Sequence, residues 1–255
     1  IILIWIPMAR RKSLAFLDVG QGDCFVADTK SGAIIFDGGS SSEDQVGRYR
    51  ILPYMKYLGY QKIQIAVISH MDIDHYSGIK ELLEMGKIKY LGLPEIPKDE
   101  TMKKIIGIAK KRGTTIFYLS RGRQITTKDG SLKVLHPQKN SQMEKNVASL
   151  VMQGKILGYR VLLTGDVEKE GEEELLSEEL ERADILKAAH HGSKNSTSNE
   201  FLQKVQPKQT VISCGKQNRY GHPHLETIHR LQTYRTKIYR TDRSGAIIFF
   251  KRRDG

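Results

Sequence analysis

The stretch Ser69-His70-Met71-Asp72-Ile73-Asp74-His75 decides how this chain is read. Four side chains able to ligate a metal, His70, Asp72, Asp74 and His75, fall within six residues. They follow an apolar run rich in β-branched residues, Ile63-Gln64-Ile65-Ala66-Val67-Ile68, which reads as a buried strand. Imidazoles and carboxylates at this density do not make a packed core, because each one, once buried, needs a polar partner. On a loop past a strand end they can converge on a divalent ion. The bland alternative is a solvated polar turn. Two further strand ends argue against it by repeating the pattern: Leu162-Leu163-Thr164-Gly165-Asp166 and Ala189-His190-His191-Gly192-Ser193. An Asp after a strand and a Gly is placed to bridge two ions, and a Gly beside a His pair lets backbone approach closely.

Outward from these motifs the chain alternates strands and helices. Strands are expected over 14–19, 24–28, 33–36, 63–69, 88–91, 115–118, 123–126, 132–135, 148–152, 159–164, 185–188, 210–213, 237–241 and 246–250. Helices are expected over 49–58, 79–85, 171–180, 200–205 and 225–233. That order predicts an α/β sandwich, with His, Asp and Gly collected at strand ends where loops carry chemistry. With 39% apolar residues and 23 Gly in 255, intrinsic disorder and collagen are excluded for the bulk of the chain. Two cysteines, Cys24 and Cys214, permit one bridge at most, so disulfides do not hold the fold.

The charge is +12 and uneven. Residues 200–255 carry twelve Lys+Arg against four Asp+Glu. Such a balance suits a polyanionic partner, nucleic acid or an anionic membrane, as well as a plain lysine-rich surface. At the other end, Ile1-Ile2-Leu3-Ile4-Trp5-Ile6-Pro7-Met8 is apolar and is followed by Arg10-Arg11-Lys12. Residues 1–12 read as the remnant of a transmembrane helix or as a linker, and 13–255 as the domain that carries the ligand motifs. A buried strand or a signal-peptide remnant would give the same eight apolar residues.

These motifs resemble the metallo-β-lactamase superfamily, whose loop reads His-x-His-x-Asp-His. Here it is His70-x-Asp72-x-Asp74-His75, with Asp72 where the second His is expected. Asp166 matches the bridging Asp, His191 the late His, and Asp37 in Phe36-Asp37-Gly38-Gly39 the Asp that braces the metal loop. The resemblance implies a four-layer αββα sandwich with two divalent metal ions at one edge. One departure stands out. The third-motif His has no counterpart just before the Leu162–Leu163 strand; His136 sits elsewhere, and Asn146 or Ser149 occupies the expected region.

A narrower resemblance is to the ComEC competence DNA-uptake proteins. It rests on Phe16-Leu17-Asp18-Val19-Gly20-Gln21-Gly22-Asp23, the Asp72 substitution, Asn146-x-x-Ser149-Leu150-Val151, His190-His191-Gly192-Ser193 and Tyr220-Gly221-His222-Pro223-His224. It implies a nuclease that degrades the DNA strand not imported, membrane-associated because a channel portion belongs to the same longer chain. The side of the membrane stays open. Under this reading the metal ligands are His70, Asp72, Asp74, His75, Asp166 and His191. Asp74, Asp166, His190 and His222 are the catalytic candidates, and Asp18, Gln21, Asp23 and Asp37 form the supporting loops. Ser193, Lys194, Lys216 and Arg219 are candidates to hold DNA. No small organic cofactor is expected. Three carboxylates to three imidazoles lean toward a hard ion, so Mn²⁺ is favoured over Zn²⁺. Two rival functions use the same residues: a hydrolase of a small lactone, β-lactam or phosphodiester headgroup, and a non-catalytic DNA-binding module.

Overall fold

The computed structural model describes residues 11–142, 146–178 and 180–252. Residues 1–10 of the expected membrane remnant lie outside them. Among the described residues no helix is long and apolar enough to cross a membrane.

Among the described residues, fourteen strands make two seven-stranded mixed sheets. The first contains β1 (Ser13–Phe16), β2 (Phe25–Thr29), β3 (Gly32–Phe36), β4 (Ile63–Val67), β5 (Ile88–Pro94) and β6 (Thr115–Leu119), with β14 (Ile247–Phe250) returning to pair with β1. The second contains β7 (Gln124–Thr127), β8 (Gly130–His136), β9 (Val151–Ile156), β10 (Tyr159–Leu163), β11 (Ile185–Lys187), β12 (Gln209–Ile212) and β13 (Lys237–Arg240). Strand order is β14-β1-β2-β3-β4-β5-β6 in one and β13-β12-β11-β10-β9-β8-β7 in the other.

Period-two alternation sorts the side chains into layers. Leu14, Phe16, Ile34, Phe36 and Val67 of the first sheet meet Val134, Met152, Val161, Leu163 and Ile185 of the second in a core between the sheets. The opposite face of the first sheet, with Ile35, Ala66, Ile68 and Leu91, is covered by α1 (Leu52–Tyr57), α2 (Ile73–Glu84) and α3 (Glu100–Lys111). That of the second, with Leu162, Leu186 and Ile212, is covered by α4 (Lys169–Leu176), α5 (Asn199–Val205) and α6 (Leu225–Thr233). The result is helix, sheet, sheet, helix: the αββα sandwich.

Three local expectations need correction. The helix expected at 79–85 begins six residues earlier, at Ile73, so Asp74 and His75 stand on its first turn and not on a loop. The amides of His75 and Tyr76 donate to the Asp72 carbonyl, and an Asp in a first turn is favoured by the helix dipole. The helix expected at 49–58 opens as a π-helical turn, Gly47–Ile51, before α1. Helix α3 was not expected; Asp99 caps it by accepting from the Met102 amide at 2.7 Å.

Candidate metal centre

The polar strand ends meet at one edge of the sandwich. β3 runs into Asp37, β4 into Ser69 and His70, β10 into Asp166, and β11 into His190 and His191. The loop between β1 and β2 brings Asp23, and the first turn of α2 brings Asp74 and His75. Two glycines make the close fit: a Cβ on Gly39 would stand 2.5 Å from the Ile73 carbonyl oxygen, and one on Gly22 would fall 2.6 Å from that of Asp74. The Gly38-Gly39 loop is tied down further, with the Gly38 amide donating to the His75 carbonyl at 2.8 Å.

His75 Nδ1 lies 3.0 Å from Asp37 Oδ2, and the Ser69 amide donates to Asp37 Oδ1 at 2.7 Å. His191 Nδ1 bonds the Ser213 carbonyl at 3.0 Å. His70 Nδ1 lies 3.0 Å from Ser69 Oγ and 3.1 Å from Ser149 Oγ. Each imidazole is therefore held through Nδ1 and turns Nε2 inward. The Nε2 atoms of His70, His75 and His191 are buried without a hydrogen-bond partner, and so is Asp166 Oδ1. Fixing one ring nitrogen so that the other is free is how proteins present histidine to a metal.

Around those nitrogens stand the carboxylates. Asp166 Oδ2 is 3.1 Å from His75 Nε2 and 3.4 Å from His191 Nε2, and Asp74 Oδ2 is 3.4 Å from His191 Nε2. Asp72 Oδ2 is 3.7 Å from His70 Nε2. The donor set thus fits divalent ions. His70 and Asp72 form one half, Asp74, His75 and His191 the other, and Asp166 faces the second.

Asp23, His75, Asp166 and His191 bring ligand atoms within 4.8 Å of one another. Asp23, however, approaches the Nδ1 atoms, at 3.5 Å from His191 and 3.7 Å from His75, whereas Asp166 and Asp74 face Nε2. Asp23 therefore stands behind the imidazoles as a backing carboxylate. Gln21, also buried, accepts from the Gly215 amide at 3.0 Å. Asp18 accepts from the Gly20 amide at 3.2 Å and shapes the loop.

The electrostatics follow from this packing. Burial would depress the His75 and His191 imidazoles, but it is overcome by Asp166 in both, with Asp37 and Asp23 respectively, and both stand well above the usual histidine value. Burial would raise the Asp166 carboxyl, yet His191, His75 and Lys187 hold it far below the carboxylate range. Asp23 is pulled down to about 2 against its burial by Lys187 and His191.

His190 and His222 form the rim. Glu168 Oε1 lies 2.9 Å from His190 Nδ1, and the His190 and His222 rings meet edge to face at 5.4 Å. Burial, then the nearby His191, His190 and His224, depress His222 to about 4. It is therefore a neutral imidazole at neutral pH. Lys194, Lys216 and Arg219 are exposed. Ser193 is not available to DNA: it is 4% exposed, and its hydroxyl accepts from the Asn195 amide.

Sequence reasoning left two residues without roles. Ser149, in the third-motif region, holds His70 and accepts from the Asp166 amide at 3.3 Å. Lys187 was not singled out at all. Its ammonium touches Asp23 and lies 3.5 Å from Asp166 Oδ1. A charged residue at an inward position of a core strand was the available signal.

Comparison with known proteins agrees with the fold and the motifs. The chain is 35% identical over its whole length to ComE operon protein 3 of Bacillus subtilis, spanning 35% of that protein. It is 30% identical over 93% of its length to competence protein ComA of Neisseria gonorrhoeae, spanning 32% of it. The chain thus spans about a third of the length of these curated relatives. Among solved structures, the metallo-β-lactamase fold protein YhfI of Bacillus subtilis superposes with a TM-score of 0.61 at 12% identity, covering 92% of this chain and 99% of that one. The family model of the metallo-β-lactamase superfamily matches residues 17–216, and the chain belongs to that superfamily.

Proposed function

We propose that this chain is the hydrolytic part of a longer, membrane-associated competence DNA-uptake protein, and that it is a two-metal phosphodiesterase degrading the strand not imported. The observation that carries the reading is the cluster of buried, unpartnered His70, His75 and His191 Nε2 atoms and Asp166 Oδ1, in a chain whose relatives are competence proteins. Divalent ions in that cluster would supply Lewis-acid charge to a phosphodiester and a nucleophile from water at neutral pH.

The remaining work falls to the chain's own residues. His70 and Asp72 would hold one ion, and Asp74, His75 and His191 the other; Asp166, whose Oδ2 faces the second, would serve both through that oxygen. Asp37, Ser213 and Ser149 orient the imidazoles. His190, paired with Glu168, is placed to give a proton to a leaving oxygen, and His222 can give it a neutral hydrogen bond. Lys194, Lys216 and Arg219 would hold phosphates without reading bases. Three carboxylates in the donor set favour Mn²⁺ over Zn²⁺. The adjoining channel portion of the same longer chain is the proposed neighbour.

The test is cleavage of labelled single- and double-stranded DNA by chelator-treated protein reloaded with Mn²⁺ or Zn²⁺, beside a His75→Ala variant. Cleavage restored best by Mn²⁺ and absent in the variant is expected. Small-ester turnover without DNA cleavage would assign a small-molecule hydrolase instead. DNA binding untouched by chelator, without cleavage, would assign a binding module.

A further inference from the structure

Lys187 is the last residue of β11, and the alternation of that strand places it as a core side chain would be placed. Ile185 faces the core between the sheets and Leu186 the outer helices, so Lys187 faces inward with Ile185. Its side chain is 5% exposed. The ammonium contacts the Asp23 carboxylate, lies 3.5 Å from Asp166 Oδ1 and donates to the Gly165 carbonyl at 2.9 Å. Two carboxylates and a carbonyl make an oxygen cage of the kind a hard cation occupies. Here the chain fills it with its own charge.

Burying an ammonium is costly unless opposite charge surrounds it. The centre supplies that charge. Asp23, Asp37, Asp72, Asp74 and Asp166 bring five carboxylates to one sheet edge. Two divalent ions would provide four positive charges, and Lys187 provides the fifth. The ammonium also divides the labour within Asp166: Oδ1 faces Lys187, and Oδ2 faces His75 and His191.

We propose that Lys187 is a built-in monovalent cation of the metal centre, a positioning residue that fixes Asp166 and Asp23 so that the ions find their ligands already oriented. The proposal rests on the metal-centre reading above. A Lys187→Met variant keeps the bulk and removes the charge. Lys187→Ala leaves a slot that propylammonium, but not propanol, should fill as lysine does.

Mn²⁺ binding is measured by calorimetry on the wild type and both variants. The expected result is wild-type binding, a loss of roughly 10- to 100-fold in Lys187→Met, and partial recovery of Lys187→Ala by propylammonium alone. Unchanged affinity in Lys187→Met, or equal rescue by propanol, would overturn the proposal by reducing Lys187 to a space-filler. A wild type that binds no divalent ion would instead remove the centre itself. Should neither variant fold, the wild type still decides. With ¹⁵N-lysine labelling, one protected ammonium signal should persist on adding diamagnetic Zn²⁺. Its loss on loading would show that an incoming ion displaces Lys187 and would sink the idea.

Discussion

Metal loading should depend steeply on pH, because His75 and His191 must give up protons to bind an ion. Both imidazoles stand well above their ordinary value of 6.5, held there by Asp166 with Asp37 or Asp23 against the effect of burial. Near neutral pH the chelator-treated protein therefore carries a proton on each, and each ligating nitrogen must be neutral. Two displaced protons make the apparent affinity rise up to about 100-fold per pH unit, or about 2.7 kcal/mol, while pH stays below both folded values. The same shifts set stability without metal. The histidines contribute stability fully below 6.5 and lose it as pH rises through their raised values. Asp166, Asp23 and Asp74 sit below 3.8, so their contribution is present above that value and lost as pH falls through the lowered ones. Chelated protein should thus be most stable between 3.8 and 6.5, and added metal should extend the range upward. Calorimetric Mn²⁺ titration in buffers of different ionisation enthalpy counts the released protons, and melting curves with and without chelator map the stability. Affinity flat from pH 6 to 8, with no proton released, would refute the account.

Asp37→Asn should keep the fold and weaken Mn²⁺ binding by roughly 10- to 100-fold, since it removes the carboxylate that faces His75 Nδ1; calorimetry and a melting curve separate the two effects. Gly39→Ala should destabilise the protein by about 1–3 kcal/mol, because the added carbon would meet the Ile73 carbonyl at the start of α2; urea unfolding reads it. DNA binding held by Lys194, Lys216 and Arg219 should weaken roughly 20- to 40-fold between 50 and 200 mM salt, measured by fluorescence anisotropy with a chelator present; affinity indifferent to salt would remove these residues from the interface.

Much of this was legible in the residues. The strand before His70 is rich in β-branched side chains, and the turn after it crowds four potential ligands, so both the strand and the site announce themselves. Helix α6 was read to its observed ends because an apolar face and Pro223 mark it off. The start of α2 was missed because its first turn is ligand-rich, and the same Asp74 that signals chemistry also suits a helix N-terminus. Helix α3 went unread because its lysines obscured the face formed by Met102, Ile105 and Ala109. The alternation of β11 marks Lys187 as inward but does not name its partners. Its partners Asp23 and Asp166 come from other strand ends, and only the pairing of β10 with β11 and the packing of the two sheets bring them together.

The two halves of the centre are built unequally, and the missing imidazole explains how. On one side His75 and His191 are fixed through Nδ1 by Asp37 and Ser213, and their Nε2 atoms stand 3.1–3.4 Å from carboxylate oxygens. Lys187 steadies Asp166 from behind. On the other side His70 is oriented by two hydroxyls, Asp72 has a side chain 41% exposed at 3.7 Å, and Ser149 takes the third-motif region. Ser149 Oγ, at 3.1 Å from His70 Nδ1 and accepting from the Asp166 amide at 3.3 Å, positions these residues and supplies no imidazole of its own. This half therefore offers fewer protein donors. Under the proposed phosphodiesterase reading, the first half would hold its ion through more protein ligands, and the second would leave positions for water and a phosphate oxygen.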